Sequence, residues 1–432
     1  MKSSIAILLA LAASAHAEPR KLTLAGAIDL ALTKNPDIAV ADQNRIAAHD
    51  RESSVRSKRL PSLGVNAALN EYTKPFELLF GGQPFTLHKQ TTSFTTVAVT
   101  QPLTGFAYLS ELVGAATHDS AAATAEYNRA RLDAAYSTAD AYVRALEAHA
   151  SAEVSARLVQ DIDSDLQRAQ KLREADTLTN IDVLRLQSAK AAAEQTAVRT
   201  DTSSTSSLAK LAVTIGLHDG DIVDVTDDLP PEPPVLAMPL DQAIARAMST
   251  RPELRAAAER IAASANVATS KWEQYVPNIN AVGAWQHTTG LEPFQPSNEE
   301  YIGLQVQWRV WDWGGIRDEY KEAKAHENAA RISADALADH VKLEVRTRWL
   351  DAQAGYKNLA SAQVQLQSAE EAYRLQKVKF ETGVATTTDV LDSESDAARA
   401  RLQSALARYD YYLTLIGLAR AVGDIPSVGT SK

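Results

Sequence analysis

The 432-residue chain contains no cysteine. That absence excludes disulfide frameworks, thiolate metal sites, cysteine nucleophiles and any lipid carried on an N-terminal cysteine. A surplus of positive charge is also missing, since 44 Lys and Arg stand against 54 Asp and Glu for a formal charge of −10, so neither nucleic acid nor an anionic lipid surface is the natural partner. Long apolar runs are absent beyond the first residues: no later segment approaches the ~18 to 20 uninterrupted apolar residues of a membrane-spanning helix. If the chain crosses a membrane, it does so with strands. Phosphate-binding Gly-rich loops, H-E-x-x-H and G-x-S-x-G are all missing, and the histidines lack ligand spacing. No enzyme, cofactor or metal centre is predicted, and a chain without a nucleotide site takes any energy for transport from a partner.

What is present begins with export. Met1-Lys2, the apolar stretch Ile5 to Ala13 and Ala15-His16-Ala17 before Glu18 read as a secretory signal peptide, residues 1–17, cleaved after Ala17.

An internal repeat follows. Leu24-x-x-Ala27-Ile28-x-x-Ala31-Leu32-x-x-x-Pro36 matches Leu240-x-x-Ala243-Ile244-x-x-Ala247-Met248-x-x-x-Pro252 at a shift of 216, and Leu60-Pro61-Ser62-Leu63 falls on Val276-Pro277-Asn278-Ile279 at the same shift. Beyond residue 103 the shift settles at 207 to 208, carrying Asp182-Val183-Leu184 onto Asp389-Val390-Leu391, so the first copy holds about eight extra residues in one loop. The copies are predicted as 18–216 and 240–423. Between them, 217–239 is acidic and carries Pro230-Pro231-Glu232-Pro233-Pro234, the mark of a stiff, solvated linker. The polar tail 424–432 is predicted to be disordered.

Each copy opens with apolar residues at helical spacing, over 22–59 and 239–273, which predicts one amphipathic helix in each. After Pro61 and Pro277 the period changes from 3.6 to 2. Leu63, Val65, Ala67 and Leu69 alternate with smaller or polar residues, as do Ile302, Leu304, Val306, Trp308 and Val310; weaker strands run over 94–103 and 279–287. Each copy therefore carries one hairpin, with outer loops at Gly81-Gly82 and at Gly290 to Pro296. Next come 106–172 and 314–378, free of proline and read as long helices of coiled-coil character, on the order of 100 Å each. Turns follow near 173–182 and 379–389, where Gly383 ends one helix and Thr386 to Asp389 cap the next. The order helix, hairpin, long helix, turn, long helix thus occurs twice.

Strands of about ten residues with tryptophan at Trp285, Trp308, Trp311 and Trp313 have the length and aromatic placement of outer-membrane strands; a soluble sheet packed on the helices fits the same alternation. Four strands cannot close a barrel, so the membrane reading requires oligomers, eight strands from two copies or twelve from three.

The paired openings ending in Asn35-Pro36 and Arg251-Pro252, Leu60-Pro61-Ser62-Leu63, Trp311-Asp312-Trp313-Gly314-Gly315 and Gly383 with Asp389-Val390-Leu391-Asp392 resemble the TolC-like outer membrane efflux protein family, nearly end to end. The resemblance implies a mainly α fold with a membrane β-barrel: a homotrimer whose twelve-stranded barrel, four strands per chain, continues into an α-helical tunnel, with the linker in an equatorial belt. It also implies a channel in the outer membrane of a Gram-negative bacterium, the passive exit duct of a tripartite efflux or type I secretion system, with a periplasmic adaptor and an inner-membrane transporter as partners. The chain departs from lipid-anchored branches, and Phe380 and Ala385 stand where some relatives place a Tyr and Arg lock.

Asp389 and Asp392, spaced i, i+3 at a helix start, are capping and solvated residues on one reading. With threefold symmetry they become a ring of carboxylates at a periplasmic gate, for which Asp182, Phe380 and Gly383 are the lesser candidates; Arg185 replaces the second Asp in the first copy. A periplasmic adaptor and an exported structural coiled coil are the rivals to the channel. An adaptor would show one helical hairpin and no paired ten-residue strands.

Overall fold

A computed structural model describes residues 20–218, 221–292, 295–382 and 384–426. The signal-peptide segment, Gly383 and the last six residues lie outside that range. In chain order the elements are β1 (Arg20–Leu22), α1 (Leu24–Lys34), α2 (Pro36–Ser57), β2 (Ser62–Glu71), β3 (Phe76–Phe80), β4 (Gln83–His88), β5 (Thr91–Pro102), α3 (Phe106–Glu174), α4 (Asn180–Ile215), β6 (Val223–Val225), α5 (Leu240–Thr250), α6 (Pro252–Glu273), β7 (Asn278–Thr289), β8 (Asn298–Gln307), α7 (Gly315–Glu381) and α8 (Thr387–Ala421). The two long proline-free segments are thus single helices of 69 and 67 residues.

The chain divides into two compact units: one takes the chain up to Val40, Arg129–Arg251 and the chain from His340 on, the other Ala41–Asn128 with Pro252–Asp339. The first has its core where α1 lays Leu24, Ala27, Ile28 and Ala31 against Ala139, Tyr142 and Val143 of α3, Leu211 and Ile215 of α4, and Tyr412 and Ile416 of α8. Alanine on α1 and α3 lets these backbones approach closely while tyrosine fills the remaining space.

The opening helix of each copy is two helices, not one. Asn35 and Arg251 are extended, with ψ of 126° and 119°, because the ring of the following proline excludes the helical region for the residue before it. Both residues then bind the end of their own copy's last helix: Asn35 Nδ2 donates to the Thr214 carbonyl at 2.9 Å, and the buried Arg251 donates through Nη1 to the Ala421 carbonyl at 3.1 Å. Gly216 and Gly423 follow those helices with φ of 90° and 84°. A side chain at Gly216 would put its Cβ 2.4 Å from the Lys34 carbonyl oxygen, so backbone meets backbone there.

The segment between the copies is exposed over much of its length but is tied to the helices at several points. β6 pairs in parallel with β1, matching Leu22 with Val225, and Val223 and Leu229 are buried. A proline run has carbonyls but no N–H, and here hydroxyls answer them. Tyr411 donates to the Pro234 carbonyl at 2.7 Å and Tyr412 to that of Pro230 at 2.5 Å. Arg408 binds Asp227 at 2.8 Å and the Leu229 carbonyl at 2.8 Å, while Trp349 donates to the Met238 carbonyl at 2.8 Å. The tail is likewise tied at its first residue, where Asp424 accepts from Arg246 at 2.9 Å.

In the second unit the strands form one antiparallel sheet in the order β2-β5-β7-β8. A second hairpin, β3-β4, turns through Gly81-Gly82 inside the extra residues of copy one. The last strand ends at Gln307, earlier than its alternation predicts, because Gln307 pairs with Asn278 and the residue before Asn278 is Pro277, which has no N–H to extend the ladder.

Candidate functional site

Register turns the alternation of single strands into one apolar face. Leu63 pairs with Val99, Val99 with Gly283 and Gly283 with Ile302; the next row on that face is Val65, Val97, Trp285 and Glu300. Leu304 and Val306, opposite Ala281 and Ile279, extend it. The other face carries Asn66, Thr96, Gln286 and Glu299 in one row and Ser62, Thr100, Val282 and Gly303 in another. Every residue of β2 and of β8 is exposed, and Ile302 shows 93% of its surface. A soluble sheet hides its apolar face on a core. This one leaves apolar face and both edges bare, which in water would be an aggregation template.

The tryptophans flank this face. Trp285 lies in the row that ends in Glu300, near the polar Asn298 end of β8, whereas Trp308, Trp311 and Trp313 lie beyond Gln307 and are exposed. Trp308 and Val310 therefore continue no strand; the Trp308 indole donates to the Tyr275 carbonyl at 3.1 Å. The Trp311-Asp312-Trp313 junction has a definite geometry. Asp312 accepts from Gly314 N at 3.1 Å and Ile316 N at 2.7 Å and so caps α7. Trp313 is held left-handed, at φ 56°, with Gly314 at 90°, and its ring meets Trp311 edge-on at 5.6 Å between centroids. A left-handed tryptophan is strained by roughly 1 kcal/mol or more, and both rings are exposed. Trp272 and Tyr275, in T-shaped contact at 5.1 Å, add to the aromatics at the β7 start; they lie on a helix end, where strand alternation gives no signal.

The two turns are built alike. Thr179 caps α4 and Thr386 caps α8, each in a capping box with the acid three residues on. Asp389 Oδ2 accepts from Thr386 N at 2.8 Å and Thr386 Oγ1 at 2.6 Å; Asp182 Oδ2 accepts from Thr179 N at 3.2 Å and Thr179 Oγ1 at 2.6 Å. These hydrogen bonds hold both carboxyls below the usual carboxylate range, so both are ionised at neutral pH. Asp389 and Asp392 are both exposed. Phe380 is buried with Tyr373, Val390 and Ala397 and packed by Leu172, Leu178 and Ala385, because an aromatic ring between two helix ends finds apolar contact inward. Arg168 reaches Glu381 at 2.9 Å and Arg185 reaches Thr388 at 3.2 Å, so the two turns are cross-linked.

Paired hairpins forming one uncovered four-stranded sheet, and two long helical hairpins closed by twin capped turns, are the architecture of outer-membrane efflux proteins. The outer membrane efflux protein family model matches residues 27–217 and 243–424, and the chain belongs to that family. Outer membrane efflux protein BepC of Brucella suis biovar 1 (strain 1330) is 22% identical over 184 residues, a match spanning 42% of this chain and 40% of BepC. The fold is that of the outer membrane protein VceC of Vibrio cholerae, with TM-score 0.78, 19% identity, and coverage of 93% of this chain and 96% of that one. It is equally that of the Neisseria gonorrhoeae MtrE outer membrane channel in its open state, with TM-score 0.74, 19% identity, and coverage of 93% and 89%.

Proposed function

We propose that the chain forms a homotrimeric outer-membrane channel that serves as the passive exit duct of a tripartite efflux or secretion system. The observation that carries this reading is the bare sheet. Joining β2 of one protomer to β8 of the next three times closes twelve strands and leaves no edge. Ten-residue strands rise ~34 Å, or ~24 Å at a tilt near 45°, close to the ~25 Å apolar band of such barrels. The exposed tryptophans then lie at the two interfaces. On α7 the exposed Leu343, Leu350, Val364 and Val378 recur at multiples of seven, an apolar stripe interrupted by Lys357 and Glu371 that suits packing against a neighbouring protomer.

Asp389 and Asp392 of three chains form the gate ring. Energy comes from an inner-membrane transporter through a periplasmic adaptor, and the precursor loses residues 1–17 on export. The deciding experiment is the mass of the detergent-purified protein together with its conductance in planar bilayers. A trimer that carries steady ionic current is expected; a monomer soluble without detergent overturns the proposal.

A further inference from the structure

Glu394 lies on the same face of α8 as Val390 and Ala397, which pack on Tyr373 and Phe380 of α7 beside the turn. It is 1% exposed, and neither carboxyl oxygen has a hydrogen-bond partner among the described residues. Asp165 on α3 is 2% exposed, and both its oxygens also lack hydrogen-bond partners. The cations around them are shared among several acids, and Arg168 lies 3.8 Å from Asp165. Arg401 holds Asp161 at 3.5 Å and Glu370 at 3.0 Å, Arg168 holds Glu381 at 2.9 Å, and Lys377 lies 3.6 Å from Asp165 and 3.4 Å from the Tyr373 hydroxyl. On α4, Lys190 pairs with Asp163 at 2.6 Å and Arg185 approaches Asp182 at 4.0 Å. Three cations from α3, α7 and α8 therefore face Asp161, Asp165, Glu370, Glu381 and Glu394. An ionised Glu394 would be a buried charge with no hydrogen bond, beside a second acid, its nearest cations Lys377 and Arg401 being shared with Asp165, Asp161 and Glu370.

We propose that Glu394, with Asp165 beside it, is a proton-binding site inside the helical bundle that ties the packing of the α7–α8 turn to pH. The neutral carboxyl is compatible with the apolar contacts of Val390 and Ala397. When its O–H bond breaks and the proton leaves to water, the carboxylate must be hydrated, and hydration draws α8 away from Tyr373 and Phe380. Burial and the neighbouring Asp165 and Asp161 push the Glu394 carboxyl up to about 8 in the packed state, against 4.5 when free in water. Burial raises Asp165 as well. The sign follows: the packed state binds the extra proton, so packing is favoured at low pH and is lost progressively as pH rises from about 4.5 to about 8, then changes no further.

The site deepens the gate proposed above but stands on the helical bundle alone, so its test does not use conductance. Hydrogen exchange of the full-length protein in detergent, followed by mass spectrometry on peptides from α3, α7 and α8 around Asp165, Tyr373 and Glu394, reads the opening equilibrium once intrinsic rates are divided out. Wild type should open about tenfold more per pH unit from pH 6 to 8 and level off above that. Glu394→Gln should reduce the slope, as should Glu394→Met, which leaves no amide to satisfy, if the Gln variant fails to fold; adding Asp165→Asn to either should abolish what remains. Asp165→Asn should bring the plateau to lower pH. Peptides of the sheet should show no such slope in any variant. A wild-type profile flat with pH, or a slope left unchanged by Glu394→Gln and Glu394→Met, overturns the proposal, whether or not the protein conducts.

Discussion

Ile302→Lys tests the membrane reading most directly. Ile302 is near the middle of β8, pairs with Gly283 on the apolar face and is 93% exposed. In water, replacing so exposed a side chain changes stability by no more than about 0.5 kcal/mol. Facing lipid at mid-strand, the lysine is at the bilayer midplane, where it destabilises by about 2 to 4 kcal/mol per protomer, a factor of ~30 to 1000 in the folded population. Three copies around one barrel multiply that effect, since the sites are far enough apart to add. Gln305→Lys is the control: Gln305 pairs with Asn280 on the opposite face, which would line a wet lumen, and should change stability by no more than about 0.5 kcal/mol. Urea titration of protein refolded into lipid vesicles gives both values, and the heat-sensitive trimer band on gels gives assembly. Equal stabilities for the two variants would refute the assignment of the apolar face to lipid.

The other predictions concern the helical parts. Asp389→Asn with Asp392→Asn should reduce cation preference and blunt block by multivalent cations in bilayer recordings while trimers still assemble; wild-type selectivity would return these acids to the role of solvated caps. Tyr412→Phe removes the hydroxyl that answers the Pro230 carbonyl and should lower stability by about 1 kcal/mol in chemical denaturation. Arg251→Ala strips a buried guanidinium from Glu344, 3.0 Å away, and from the Ala421 carbonyl, and should cost about 2 to 3 kcal/mol, since Glu344 is partly exposed and keeps Arg420; a smaller loss than the Tyr412→Phe change would show that this joint does not hold the copy together. Protein recovered from the outer membrane should begin at Glu18, and mass analysis showing Met1 retained would contradict cleavage of residues 1–17.

Much of this was legible in the chain because its signals are local and periodic. A helix or strand is recognised by which residues recur on one face, so the long helices, the Thr386 cap and the four strands followed from spacing, and the duplicated order followed from the constant shift between copies, whereas the matching Thr179 cap came only with the structure. Proline also acts locally, yet Asn35-Pro36 and Arg251-Pro252 break helices that periodicity alone runs together. Only the tertiary structure decided the rest, because it depends on partners far apart in sequence. Acidic, proline-rich composition says nothing of Tyr409, Tyr411 and Tyr412, about 180 residues away, whose hydroxyls tie the linker to the last helix. The burial of Phe380 likewise rests on Val390 and Leu172 being placed against it. Glu394 looks like any solvated helical acid in the sequence; its burial arises where α8 meets other helices, and desolvation belongs to the assembled packing rather than to any stretch of chain.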